Sequence, residues 1–454
     1  MNRSLQAALA GAIALFASGG PVFAQHDMAN MGSTTTARLP LEIPWTRLAG
    51  GTAWQPDASR MFAGHQWLGP WMLMLHGAAF PIFDHQGSFR GDNQLGLIDW
   101  EMLMAARPLA GGILRFSTMT SLQPLALGRR GYPELLQTGG TDNGARLVNR
   151  QHPHDLIGEL AVVYDRSLTS GLAASLYAAP VGEPALGPVS YMHRPSGGDD
   201  PFAPIGHHWQ DATHEAHGVA TLGLYSRRAK LEGSVFNGRE PDNYRYNLDY
   251  TGARLDSYSG RFTFAPNANA TLSAWAGYLY AHDRLEEPIG MQRYGVSLLQ
   301  ADRRGERVWS NGIVWGLTVH HHGSRHHNHG DSTAKTYNLS TALLVESSFD
   351  INPRATIYGR VEEVDKSADE LGFLGGDPSE SFTVHTVSLG GSYDFWACGP
   401  ASFAVGARGT LNVLPNELHL TYQASKPIGF AVYLRVRPRG EMPAAVAPPI
   451  AGSR

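Results

Sequence analysis

Apolar and polar residues alternate with a period of two along segment after segment of this 454-residue chain. Neighbouring residues of a β-strand face opposite sides, so this pattern specifies strands with one apolar and one polar face. Over 401–413, Phe403, Val405, Leu411 and Val413 alternate with Ser402, Ala404, Arg408 and Asn412. Over 337–350, Leu339, Leu343, Val345 and Phe349 oppose Asn338, Ser340, Glu346 and Asp350. Shorter versions recur upstream, where Leu231 and Val235 oppose Lys230, Glu232 and Ser234, and Trp100, Met102 and Met104 oppose Asp99 and Glu101. No helical period of similar length interrupts them. About sixteen strands follow, the first near 71–80 and the last near 428–437.

The connections sort into two lengths. Those at 107–109, 165–169, 265–267, 352–353 and 398–400 are short, whereas 123–155, 179–214, 238–253, 322–334, 366–380 and 414–427 are long. Short and long connections alternate in transmembrane barrels, whose turns face the periplasm and whose loops face outward. The pattern therefore predicts an all-β fold: a transmembrane antiparallel up-and-down β-barrel, apolar outside and polar within. Asp99, Glu101, Arg115, Glu159, Glu232, Arg261, Arg360, Glu362 and Arg408 are expected to line its interior. A soluble sandwich or propeller is the alternative, but no blade-like repeat is present and aromatic residues gather near strand ends, where a membrane interface favours them.

The organisation is read as a signal peptide at 1–24, a leader at 25–69, a barrel at 70–437 and a disordered Pro/Ala-rich tail at 438–454. The expected location is the bacterial outer membrane, with its lipid as a partner. A net charge of −4 argues against nucleic acid, and the single Cys398 excludes a disulfide framework. There is no GxSxG, HExxH, P-loop or GxGxxG, so no catalytic residue or required cofactor is assigned and the chain is read as a non-enzyme. A barrel hydrolase using His154–Asp155 or Asp211–His214 remains as an alternative.

Eleven of the 20 histidines lie in two stretches, 193–217 and 320–329, and a smaller cluster occupies 150–155. Imidazole and carboxylate together suit Zn, Cu or Ni. A mixed site built from His152, His154, Asp155, His208, Asp211 and His214 is expected at the outer rim of the barrel, with His152 and His154 directed to one ion. The same residues could instead hydrogen-bond to pin the long loops. The 320–329 run reads as a loose metal-binding loop or a solvated one, and Gln25–Met31 as a short His/Met motif or a plain leader.

The segments Arg150–Asp155, His193–Ser196, His207–His214, Gly238–Pro241 and Leu255–Arg261, taken together, resemble a largely uncharacterised family of bacterial outer-membrane β-barrels. Its genes are often found beside heavy-metal, especially copper, resistance and efflux genes. The resemblance implies a barrel that passes or binds small solutes or metal ions, with copper the first expectation. A surface barrel that sequesters metal without transport, and a hydrolase of lipids or esters, are the other readings.

Overall fold

The computed structural model describes residues 38–249, 254–280, 290–321, 337–373 and 377–442. The expected signal peptide, the Gln25–Met31 motif, residues 322–329 of the second histidine stretch and the end of the tail lie outside these residues.

A short strand β1 (Ala63–Leu68) precedes sixteen long ones: β2 (Trp71–Gln86), β3 (Asn93–Leu109), β4 (Gly112–Thr120), β5 (Ile157–Ser167), β6 (Ala173–Gly182), β7 (Ala216–Tyr225), β8 (Ala229–Asn237), β9 (Ser257–Asn267), β10 (Ala270–Tyr280), β11 (Gly290–Arg304), β12 (Arg307–His321), β13 (Tyr337–Asn352), β14 (Ala355–Ser367), β15 (Ser381–Cys398), β16 (Ala401–Val413) and β17 (Ile428–Pro438). Each of β3 to β17 pairs antiparallel with the strand before it, and β2 closes the sheet on β17 from Ala79↔Val436 to Gln86↔Gly429. The result is the expected sixteen-strand barrel. Closure leaves no strand edge facing lipid, where an unpaired peptide group would be costly. The remaining lower half of β2 pairs with β1, Ala63↔His76 through Leu68↔Trp71, ahead of the expected barrel start at residue 70. Residues 440–442 also pair, through Ala63 N to Gly440 O and Met442 N to Met61 O, both 2.9 Å.

Alternation along the strands sorts two surfaces. Leu176, Leu222, Leu231, Val361, Leu389 and Leu434 stand exposed on the outside, whereas Arg261, Lys366 and Arg435 on the opposite parity are fully buried. Exposed Trp309, Phe349, Tyr393, Phe395 and Trp396 gather near the short turns and form an aromatic girdle below the apolar band. Among the described residues no helix is long and apolar enough to cross a membrane. A closed barrel with an apolar outer band crosses a membrane by its strands, the architecture of bacterial outer-membrane barrels.

Strand β3 departs from the expected assignment of faces. Its exposed residues, Asn93, Leu95, Leu103 and Leu109, are all odd-numbered, so Asp99 and Glu101 share the outward parity. They are nonetheless buried, because the segment after β4 covers that wall: Leu122 N donates to Asp99 Oδ2 at 2.7 Å, and Leu122 and Ala126 pack with Leu97, Ala79 and Val436. The inward side of β3 carries Trp100, Met102 and Met104 instead.

The long loops fill more than the mouth: residues 127–156 and 183–215 fold into the barrel. Arg194, on the second loop, pairs with Glu346 of β13 and lies 3.2 Å from Asp211. Arg360 of β14 donates to Phe202 O at 3.0 Å, and Glu362 accepts from Gly206 N at 3.0 Å. Lys366 Nζ donates to Ile205 O at 2.8 Å and to Thr138 Oγ1 at 2.9 Å. Asp199 pairs with Arg435 and Arg437, and Asp200 with Arg408. Residues 39–60 fill the opposite end, where Arg47 meets Asp57 and Thr52 meets Lys230 and Arg261 of the wall. Buried charges persist only when paired, and these pairs fix the plug to the wall.

Candidate metal centre

The sequence His207–His208–Trp209–Gln210–Asp211–Ala212–Thr213–His214 forms two successive helical turns, His207–Gln210 and Ala212–Glu215, within the plug. Spacings of four and seven residues bring His207, Asp211 and His214 to one side of such a segment. The carboxylate of Asp211 accepts from His207 Nδ1, and the main-chain carbonyl of Asp211 accepts from His214 Nδ1 at 2.7 Å. Residues 151–156 run alongside just before β5. No ladder constrains them there, so His152 and His154 diverge instead of sharing one ion: the His152 ring lies 5.4 Å from His208, and the His154 ring 5.3 Å from His214. His207 joins the two pairs, its ring centroid 5.1 Å from those of both His208 and His214.

Two sets of potential ligands result. One comprises His152, His208 and Glu240; the other His154, His214 and Glu215; in each, one donor atom per residue lies within 4.8 Å of the others. Glu240 arrives from the segment after β8, and its Oε1 lies 3.1 Å from His208 Nδ1. The two expected aspartates fall outside both sets. Asp155 pairs with Arg245 at 3.0 Å, and Asp211 with Arg194 and His207. Glu215, Glu240 and His207 complete the cluster instead. Each adjoins or falls within a segment that the sequence singles out, but its place among the ligands depends on tertiary contact.

The imidazoles of His152 and His214 are held alike, whereas His154 Nδ1 accepts from Gln123 Nε2 at 3.0 Å. His152 Nδ1 donates to Pro153 O at 3.2 Å, as His214 Nδ1 does to Asp211 O. A carbonyl can only accept, so each ring carries its proton on Nδ1 and presents a bare Nε2. Nε2 of His214 and Oε1 of Glu215 are buried and make no hydrogen bond. A glycine makes room for one ring: at Gly139, where φ is +101°, an added Cβ would lie 2.4 Å from His208.

Electrostatics keep these rings neutral. Burial, reinforced by His207, pushes His214 down to about 4. Burial also holds His154 well below the usual range, aided by His214, and His152, aided by Arg245 and His208. Burial and the neighbouring Asp155 carboxylate push Glu215 up. Burial works against the charge on Asp211, but His207 and Arg194 together hold its carboxyl well below the carboxylate range.

No family model and no curated protein matches the chain. Solved barrels do. The chain is similar to OmpF of Salmonella typhi, solved in complex with daunomycin (11% identity, 80% of this chain and 97% of that one, TM-score 0.46). It is also similar to an anion-selective porin from Comamonas acidovorans (10%, 80% and 99%, 0.44) and to the outer membrane channel DcaP of Acinetobacter baumannii (9%, 80% and 97%, 0.43).

Proposed function

We propose that this outer-membrane barrel binds d-block metal ions, Zn(II), Cu(II) or Ni(II), within its plug, and serves metal homeostasis or resistance by capturing them at the cell surface. The observation that carries the reading is the pair of His₂Glu sets, one buried (His154, His214, Glu215) and one half-buried (His152, His208, Glu240), each with its donor atoms within 4.8 Å. Neutral imidazole and carboxylate are the ligands these ions favour, and two histidines with one glutamate is a recurrent zinc ligand set. Metal-bound histidines usually donate their second ring N–H to a carbonyl or carboxylate, as His152 and His214 do here. A cation beside Glu215 also relieves its repulsion with Asp155. Loop-pinning alone accounts for the Nδ1 bonds but gives no role to the bare Nε2 of His214 or to the unbonded Oε1 of Glu215.

The test is calorimetric titration of Zn(II), Ni(II) and Cu(II) into detergent-purified protein stripped with a chelator. Wild type is expected to take up two ions per chain in the plug. H152A/H208A should lose one and H154A/H214A the other, while the heat-dependent gel shift of a folded barrel persists. Binding unchanged in the four-histidine variant overturns the proposal.

A further inference from the structure

Methionine is distributed unevenly. Of the nine methionines among the described residues, eight (Met61, Met72, Met74, Met102, Met104, Met119, Met192 and Met442) lie in one inner sector of the barrel; Met291 is the exception. Elsewhere the inner wall carries mainly paired charges and hydroxyls, so this sector differs in chemistry from the rest.

The register arranges its thioethers in rows. Met102 of β3 stands directly opposite Met119 of β4 on one side and His76 of β2 on the other. Two residues further along, roughly 7 Å by strand geometry, Met104 stands opposite Met74, and then Ala106 opposite Met72. Met192 of the plug packs against Met102 and Met119, and Met61 and Met442 against Met74 and Met104. All eight are buried.

The ladder starts at the histidine cluster. The Met119 methyl and Glu215 Oε1 both border Gly158, lying 2.8 Å and 2.7 Å from the position a Cβ there would take. Tyr191, whose ring contacts His154, His207 and His214, packs with Met102 and Met119. From there the rows descend toward the short-turn end. His76 is oriented like His152 and His214, with Nδ1 donating to Phe62 O at 2.8 Å and its ring 5.8 Å from His193.

Thioether is a weak ligand for Zn(II) or Ni(II) but a good one for a soft monovalent ion, and stacked thioethers offer successive sites of similar affinity. Methionine has three rotatable bonds, so opposed sulfurs can close on an ion without a preformed cavity. We infer that the Met119–Met102–His76 and Met104–Met74 rows form a binding ladder for soft d¹⁰ ions, Cu(I) or Ag(I), that begins beside the plug and extends toward the short-turn end. The ladder takes ions that arrive already monovalent and involves no change of oxidation state; it adjoins the proposed divalent site but binds independently of it.

The experiment uses Ag(I) as the probe and the full chain in detergent, with Cys398→Ser to remove the thiol. Silver-edge X-ray absorption is expected to show sulfur neighbours. M74L/M102L/M104L/M119L, which keeps side-chain volume, should lose those neighbours and weaken Ag(I) binding tenfold or more. Zn(II) uptake, measured in parallel, should stay unchanged. Silver held only by nitrogen and oxygen in the parent, or equal affinity and sulfur signal in the leucine variant, overturns the inference. If the quadruple variant fails to give the folded gel shift, M74L and M102L are measured singly, and unchanged silver binding in both overturns it equally. Loss of Zn(II) binding in the histidine variants tests the plug site separately, so either idea can fail while the other stands.

Discussion

At the scale of single residues, His214 shows how burial sets chemistry. In the unfolded chain its imidazole takes up a proton below about 6.5, whereas burial holds it to about 4 in the fold. Above pH 6.5 both states are neutral and this group contributes nothing to pH dependence. Between 6.5 and 4 the unfolded state binds a proton that the native state refuses, so stability falls as pH falls. Each pH unit in that window costs about 1.4 kcal/mol per such histidine. Between pH 7 and pH 5 the metal-free wild-type barrel should therefore lose more melting temperature, or gain less, than H214A does. Melting followed by the gel shift with a chelator present checks this; identical changes in the two proteins contradict it. The histidines themselves were legible in the sequence, since His207–His214 and Arg150–Asp155 are dense in ligand types. Their partners were not. Asp155 and Asp211 read as ligands because they neighbour histidines in sequence, but buried Arg245 and Arg194 reach them first, across 90 and 17 residues. No local pattern announces such pairs.

At the scale of elements, the strands were the most readable part, because lipid outside and a polar interior impose strict alternation on each. Strand β3 shows the limit of the rule. Its outward Asp99 and Glu101 are sheltered by the Ser121–Ala126 segment, and its inward Trp100, Met102 and Met104 pack on the plug. Alternation identifies two faces without saying which one meets lipid when a loop covers one and a plug the other. The covering segment also bears on the metal centre. Gln123 Nε2 lies 3.1 Å from Asp99 O and 3.0 Å from His154 Nδ1, and its Oε1 accepts from His154 N at 3.2 Å. Gln123 thus ties one ligand to the barrel wall. Removal of such outer partners typically weakens metal binding about 10- to 100-fold. Q123A should accordingly weaken uptake by the His154 set by about tenfold and leave the His152 set unchanged. In a titration that resolves the two sites, equal weakening of both contradicts this assignment.

At the scale of the whole molecule, sixteen strands make a barrel wide enough to hold an aqueous channel when its loops stay out of the lumen. Here they enter it. The 183–215 loop is bonded to β9 and to the inner walls of β12 through β14, β16 and β17, and residues 39–60 fill the other end. The alternation of short and long connections shows that such loops exist. Whether they stand outside or fold in depends on pairs such as Arg194–Glu346 and Arg360–Asp200, whose partners lie about 150 residues apart in the chain. A plugged barrel suits capture and stepwise handover of ions better than bulk diffusion, and the difference is measurable. In planar bilayers the wild-type protein should conduct about tenfold less than a variant in which residues 187–206 are replaced by a Gly/Ser linker. That deletion removes Arg194, Asp199 and Asp200 together, leaving Glu346, Arg360, Arg408 and Arg435 to be hydrated by the opened lumen. Equal conductance of the two proteins would show that residues 187–206 do not limit passage, and would leave residues 39–60 at the other end as the closure.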